Sequence, residues 1–462
     1  MSAIPKTPGV YIQEISVFPP SVAEVESAVP AFVGYTEKAQ RVVADDLRDK
    51  PTVVNSLTEF EQLFGGPQMN PIAVTATRDG AGAVSVAVSE PALTYCLHHG
   101  MAMFFANGGG KCYVCSVGSY ADAIEAADFT RGFDRVAEED EPTLLVAPEA
   151  VRLSADDYLT VAQKMLAQCG SLGDRFAVLD VHLGGALSGS QTVAANVDAT
   201  RTAVGNNHLK YGAAYYPFLR TSLTHPLSAN ASGVSGANVT VSGTASGTLD
   251  ALADTGIANA VRAELGKYRL VLPPSAAVAG VYAMVDTTRG VWKAPANVGL
   301  ANVIEPAVKL DDKAQEGLNV DATSGKSVNA LRAFAAKGTL VWGARTLAGN
   351  DNEWRYVSVR RFFNLVEESV KKSTYWAVFE PNDANTWVKV RGMIESYLTQ
   401  KWREGALAGA TPKDAFFVRC GLGQTMNAQD ILEGRLNVEI GMAVVRPAEF
   451  IILKFSHKLQ TS

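Results

Sequence analysis

From Lys111 to Leu219 short apolar runs alternate with stretches of helical spacing, and this alternation constrains the fold more than any other feature of the chain. The runs Lys111–Val117, Thr143–Ala147, Arg175–Val181 and Tyr211–Leu219 have the length of strands, while Ala155–Gln168 and Thr192–Val204 repeat apolar residues at roughly helical spacing. Parallel neighbours need a crossover, usually a helix, so the pattern predicts an α/β layer with a largely parallel sheet. The chain has 462 residues, 47% of them apolar, which exceeds what one core usually serves and predicts two or three domains.

Around that layer the reading is α/β and α+β multidomain. Residues 1–30 read as an amino-terminal arm: Val10–Ile15 is strand-like, Pro19 and Pro20 interrupt, and Ser21–Val29 alternates weakly. An isolated extended piece is marginal in water, so this one is expected to pair with a sheet, its own or a neighbour's. Residues 31–110 are expected to pack partly with the core, and 111–345 form the α/β middle domain. Within it, 223–259 is rich in Ser, Gly, Ala, Thr and Asn and reads as a surface insertion, strand-like at Ala237–Val241. Residues 346–445 form a carboxy-terminal α+β core. There, Arg361–Lys372 and Thr386–Trp402 each present one apolar helical face, with a sheet from Ala415–Cys420 and Leu436–Val445. Residues 446–462 form a carboxy-terminal arm whose strand, Glu449–Leu459, puts Ile451, Leu453, Phe455 and Leu459 on one face, and Ile452 with Lys454 and Lys458 on the other.

Charge and chemistry exclude several functions. The formal charge of −6 carries no long block of one sign, which argues against nucleic acid and anionic membrane as partners. Residues 351–462 hold 15 Lys+Arg and 13 Asp+Glu, a net of +2, against −8 for the remainder, so an acidic partner would face the carboxy-terminal unit. The amino terminus lacks a signal-peptide plan, and the longest apolar run, Ala276–Val285, is too short to cross a bilayer, so no membrane insertion is expected. Five scattered cysteines fit a reducing compartment.

Enzyme signals fail individually. Gly325-Lys326-Ser327 has the end of a phosphate loop, but Val320 stands where the first Gly is required, and Gly108-Gly109-Gly110-Lys111 is followed by Cys112 instead of Ser or Thr. Cys112 and Cys115 have metal-type spacing without a second pair, and on a strand they would point to opposite faces. His98 and His99 have no metal-spaced partner. The alternative function is an α/β hydrolase-like enzyme built on Asp180 and His182 near a strand end, but no GxSxG elbow accompanies them. No cofactor, metal or catalytic residue is assigned.

Several specific runs resemble the phage tail sheath family. They are Leu272-Pro-Pro-Ser-Ala-Ala-Val-Ala-Gly-Val-Tyr282, Arg289-Gly-Val-Trp-Lys-Ala-Pro-Ala-Asn297, Val341-Trp-Gly-Ala-Arg-Thr-Leu347 and Trp354-Arg-Tyr-Val-Ser-Val-Arg-Arg361. Phe379-Glu-Pro-Asn382, Trp402-Arg-Glu-Gly-Ala-Leu407 and Arg446-Pro-Ala-Glu-Phe450 continue the pattern, and Pro8-Gly-Val-Tyr-Ile12 with Val29-Pro-Ala-Phe-Val-Gly-Tyr35 resemble its opening. Val42–Val88 and the Ser/Gly-rich insertion depart from it.

The resemblance implies a structural, non-enzymatic subunit that stacks as six-membered rings in a helical lattice around an inner tube and contracts. Terminal arms would complete a small sheet in the carboxy-terminal domain of neighbours, through Val22 and Val25 at one end and Phe450, Ile451, Ile452, Leu453 and Phe455 at the other. Strand chemistry alone does not choose between exchange and fold-back; the resemblance implies exchange. The tryptophan runs are expected to lock two domains together. Lys401, Arg403 and Lys413 are the candidate tube-facing cations. Implied partners are further copies of the chain, an inner tube protein, baseplate and terminal cap proteins, and sister sheath proteins. Assembly is expected in a bacterial cytoplasm, followed by service in a phage tail, an extracellular injection particle or a cell-anchored apparatus.

Overall fold

The structure is a computed structural model that describes residues 21–89, 93–189, 191–228 and 236–452. It divides into two compact units: Glu26–Leu365 with the chain from Arg446 onward, and Val366–Val445 with the chain up to Val25.

The larger unit is organised by a nine-stranded sheet in the order Val298–Gly299, Gly338–Val341, Val328–Phe334, Gly212–Tyr216, Phe176–Asp180, Leu144–Val146, Pro30–Thr36, Cys112–Ser119, Thr52–Val54. The run from Val328–Phe334 to Cys112–Ser119 is parallel throughout, and antiparallel strands close both sides. The fold is thus mixed α/β with a mostly parallel sheet.

Alternation along Pro30–Thr36 feeds two cores. Ala31, Val33 and Tyr35 pack with Phe129, Phe133, Tyr158 and Met165 of the helices Ala126–Ala137 and Ala155–Leu172. Phe32 faces the other way, onto Phe104 and Val278 of the helices Leu97–Ala106 and Ser275–Arg289. Each buried aromatic or aliphatic side chain contributes about 1.5–3 kcal/mol. Helix ends follow local chemistry: Ser154 caps Ala155–Leu172 by accepting from the Asp157 amide, and Gly173 (φ 75°) ends it in the left-handed conformation.

Two expected boundaries are corrected. The sheet does not begin at Lys111: Pro30–Thr36, buried at every position, is an interior strand, and Thr52–Val54 lies at the edge. A strand covered on both faces reads as a continuous apolar run without alternation, which hid it. Nor does the carboxy-terminal core begin at 346, because compactness divides the chain between Leu365 and Val366, inside the helix Val357–Ser373.

The two stretches that lack the family pattern belong together. Ile72–Arg78 pairs with Val84–Val88 and, in parallel, with Val239–Gly243, which in turn pairs with Gly247–Thr248. Ile72, Val74, Ala76, Val239 and Val241 form a separate core with Ile257, Val261 and Leu265 of the helix Thr255–Leu265. What reads as a surface insertion is half of a small α/β module.

The smaller unit is built on the helix Ala384–Arg403, capped by Asp383, which accepts from the amides of Asn385 and Thr386. Val390, Met393, Ile394, Tyr397 and Leu398 form its buried face. The expected sheet is present in shorter form, as Phe416–Arg419 antiparallel to Glu439–Met442.

Candidate assembly interface

Ser21–Val29 forms no strand. In the smaller unit, hydroxyls replace ladder partners: the Ala23 and Val25 amides donate to Ser373 Oγ (3.0 Å) and Ser369 Oγ (3.1 Å). Val22 is buried and Val25 partly so. The Glu24 carboxylate accepts from Tyr397 Oη at 3.0 Å and from Lys401 Nζ at 2.5 Å. That pairing corrects one expected tube contact. Lys401 is only 6% exposed, and its ammonium also meets Glu404 at 2.8 Å. Burial pulls its pKa down, but the bonds from Glu24 and Glu404 outweigh that and raise it. Arg403 and Lys413 are exposed.

Two residues further on, in the larger unit, Ser27 meets a buried ion pair. Arg361 and Asp286 are joined at 2.6 and 3.0 Å, with 4% of each side chain exposed. The same guanidinium donates to the Ser27 carbonyl at 2.9 Å, Ser27 Oγ donates to Asp286 Oδ2 at 2.7 Å, and the Tyr282 ring lies 4.6 Å below the guanidinium.

The carboxy-terminal segment has a comparable cluster. Arg345, buried, donates to both oxygens of Glu449 at 3.0 and 2.5 Å, and Glu449 also accepts from Asn319 Nδ2 (2.9 Å) and Tyr356 Oη (3.3 Å). Burial raises the Glu449 carboxyl, but the bonds from Arg345 and Asn319 prevail and hold it below the usual carboxylate range. These residues come from three of the sequence runs that carry the resemblance: Arg345, Tyr356 and Glu449. Beyond them, Phe450, Ile451 and Ile452 are 70–80% exposed and form no ladder, in contrast to the expected strand from Glu449. Leu453 and Phe455 lie outside the described residues.

In the smaller unit, the sheet Phe416–Arg419/Glu439–Met442 gains no third strand among the described residues. Phe417 on it is exposed, as are Tyr375, Val378, Phe379 and Leu432 elsewhere in the unit. Trp292 packs edge-on against Phe362 within the larger unit, 6.1 Å between ring centres.

The candidate chemical groups are buried or bonded within the fold. Cys112 and Cys115 lie in different cores on opposite faces of the sheet, and burial pushes both thiols up, Cys115 to about 12. Lys326 Nζ is held by the Arg201 carbonyl at 2.5 Å, and Ser327 Oγ by the Asn319 carbonyl at 2.6 Å. His98 Nε2 meets Glu61 at 2.9 Å, while burial drives His99 down to about 3. His182 Nε2 is spent on the Leu153 carbonyl at 2.7 Å, and Asp180 accepts from the Ser275 amide (2.7 Å) and hydroxyl (2.5 Å).

Asp180 and a residue that the sequence reading did not single out, Glu149, occupy the positions where an α/β protein usually binds anions. Open α/β sheets take ligands beyond the carboxyl ends of their strands, often at helix amino termini. Here Asp180 ends the strand Phe176–Asp180 and plugs the start of the helix Ser275–Arg289. Glu149, fully buried just after Leu144–Val146, accepts from the amides of Cys96 (2.8 Å) and Leu97 (2.9 Å) at the start of Leu97–Ala106, and from Tyr35 (2.7 Å). Burial raises each carboxyl to about 7.

The phage tail sheath C-terminal domain family matches residues 349–458. Several solved structures match along nearly the whole chain, among them the following two. The sheath complex of an extracellular contractile injection system, PVC, in its contracted state is 31% identical, covering 99% of both chains at a TM-score of 0.66. A chain of the anti-feeding prophage baseplate is 30% identical, covering 99% of this chain and 100% of that one, also at 0.66. The chain belongs to the phage tail sheath family. Its matches are structural proteins, not enzymes, which ends the hydrolase alternative. The tail sheath protein of Enterobacteria phage T4 is 25% identical over 130 residues, 28% of this chain. That matched stretch spans about a fifth (19%) of the phage protein's length.

Proposed function

We propose that this sheath-family chain is the contracting subunit of a phage-tail-like injection system. It polymerises as stacked six-membered rings in a helical lattice around an inner tube and shortens to drive the tube through a target envelope. The observation that carries this reading is the coexistence, in one chain, of a two-stranded sheet with no third strand among the described residues and an exposed apolar segment at Phe450–Ile452. An exposed sheet edge accepts an added strand, and alternate side chains supply the affinity.

Magnitudes favour such a link. Ordering an arm costs about 1–2 kcal/mol per residue, and each backbone hydrogen bond returns about 1 kcal/mol net. Burial of Ile451, Leu453 and Phe455, which share one face of the strand, at about 1.5–3 kcal/mol each, makes the sum favourable. Val22 and Val25 would guide the other arm. Arg403 and Lys413 would face an acidic tube. Baseplate and terminal cap proteins, and sister sheath proteins, complete the set of partners, with assembly in a bacterial cytoplasm before service in a tail, particle or cell-anchored apparatus.

Negative-stain electron microscopy of the purified protein, alone and with its tube protein, tests this. Striated cylinders are expected from the full chain and none from a chain ending at Glu449. Cylinders from the truncated chain would refute arm exchange.

A further inference from the structure

Both terminal segments are gripped at their roots by buried arginines, and both arginines come from one short stretch of chain. Arg361 holds the Ser27 carbonyl while paired with Asp286, a residue of the body; Arg345 holds Glu449, a residue of the departing segment itself. Between the two arginines the chain is closed on itself. Arg345 and Tyr356 form an antiparallel bridge, the Thr346 amide donates to the Arg355 carbonyl (2.8 Å), and the Val357 amide donates to the Ala344 carbonyl (3.0 Å). The stretch is also bolted to the nine-stranded sheet. Val341 ends the strand Gly338–Val341, the Trp342 amide donates to the Ala330 carbonyl (2.8 Å), and Asn329 brackets the Arg345 backbone, accepting from its amide (2.8 Å) and donating to its carbonyl (2.7 Å).

We infer that Val341–Arg361 is a load bracket: tension carried by the two terminal segments enters the sheet-bearing unit through Arg361 at one root and Arg345 at the other. This rests on the proposed linkage of subunits through their arms. The chemistry suits the role. Apolar packing is non-directional and lets a segment slide, whereas a guanidinium bonded to both oxygens of a carboxylate fixes position and angle together. Breaking one partner of a buried pair leaves an uncompensated charge, so the grip resists opening far more than a surface pair would. Because Glu449 immediately precedes the exposed Phe450–Ile452, the load-carrying residues start one position beyond the clamp.

The test uses full-length protein assembled into cylinders. Arg345→Met and Glu449→Gln are compared with wild type and with Arg332→Met, which removes a partner of the exposed Asp312. Each is scored for melting of the free subunit and for the half-life of cylinders under shear or moderate urea. For Arg345→Met and Glu449→Gln, cylinder half-life is expected to fall at least about tenfold, beyond what any loss in melting of the free subunit accounts for; the Arg332 variant should match wild type. The exchanged pair Arg345→Glu with Glu449→Arg should recover part of the lost durability. If both clamp variants give cylinders as durable as wild type while the chain ending at Glu449 gives none, the bracket is refuted and arm exchange stands. If the truncated chain assembles normally, arm exchange fails and the bracket with it. If melting of the free subunit falls in step with cylinder durability in both variants, the cluster serves folding alone and the inference is overturned.

Discussion

Two of the four sheets among the described residues, the nine-stranded and the two-stranded, treat their exposed polar groups in opposite ways. The nine-stranded sheet ends in strands of only two and three residues, Val298–Gly299 and Thr52–Val54, and internal carboxylates fill the helix starts beyond its parallel strands. Short edges blunt unwanted pairing, and plugged helix starts leave no cradle for an anion. The sheet Phe416–Arg419/Glu439–Met442 gains no third strand among the described residues and carries an exposed Phe417. A two-stranded sheet is marginal by itself, and under the proposed arm exchange a neighbour's segment would complete it. Two helix starts where an α/β protein would hold an anion are thus filled from within, and the proposed arm exchange assigns partner binding to the small sheet.

The sharpest way to break this contrast is to remove what would complete the open sheet. A chain ending at Glu449 should form no cylinders while melting within a few degrees of wild type, because Phe450, Ile451 and Ile452, the described residues among those lost, are exposed; electron microscopy and calorimetry check the two halves. A large fall in melting temperature would mean that the segment stabilises its own subunit.

The scaffold was legible from sequence wherever pattern is local. The helices Ala155–Leu172, Val193–Ala203 and Ala384–Arg403 lie where apolar spacing predicts them, as do the strands at Cys112, Leu144 and Phe176. Pairings distant in sequence were not legible. Thr75 meets Ser242 across 167 positions, and Arg345 meets Glu449 across 104. The strand at Pro30 escapes a sequence reading because burial on both faces erases period two, and Lys401 reads as exposed because a charged residue in an amphipathic helix does so unless its partner, Glu24, is known.

The closed scaffold can be strained at one atom. A methyl at Gly34 would stand 2.7 Å from Glu149 Oε2 and 3.1 Å from Leu97 Cδ2. Gly34→Ala should therefore displace the carboxylate that serves three amides, costing about 1–3 kcal/mol in a denaturant titration. The open sheet should be unaffected, so any cylinders that form from folded subunits should look normal.

A pH titration separates the plugs from the rest. Asp180 protonates near 7 in the folded chain against about 4 when unfolded, so the folded state binds more protons between those values. The stability of the protonated form is complete below about pH 4 and is lost as pH rises through about 7. Asp180→Asn keeps an acceptor for the Ser275 amide and can donate to its hydroxyl. The variant should therefore gain on wild type by about 1 kcal/mol or more between pH 4.5 and 7.5, and the difference should be flat at higher pH. Equal slopes for the two proteins would show that Asp180 stays ionised in its pocket.

The smallest expected effect concerns the exposed cations of the smaller unit. Arg403→Glu with Lys413→Glu changes the local charge by −4, yet both side chains are exposed, so subunit stability should shift by no more than about 0.5 kcal/mol. If these residues face an acidic tube, the doubly reversed chain should still form hollow cylinders but enclose tube protein less often, and more so at low salt, because screening weakens the repulsion as ionic strength rises. Tube-filled cylinders in normal proportion at low salt would place the tube contact elsewhere on the smaller unit, where Tyr375, Val378 and Phe379 offer an apolar alternative that salt would not weaken.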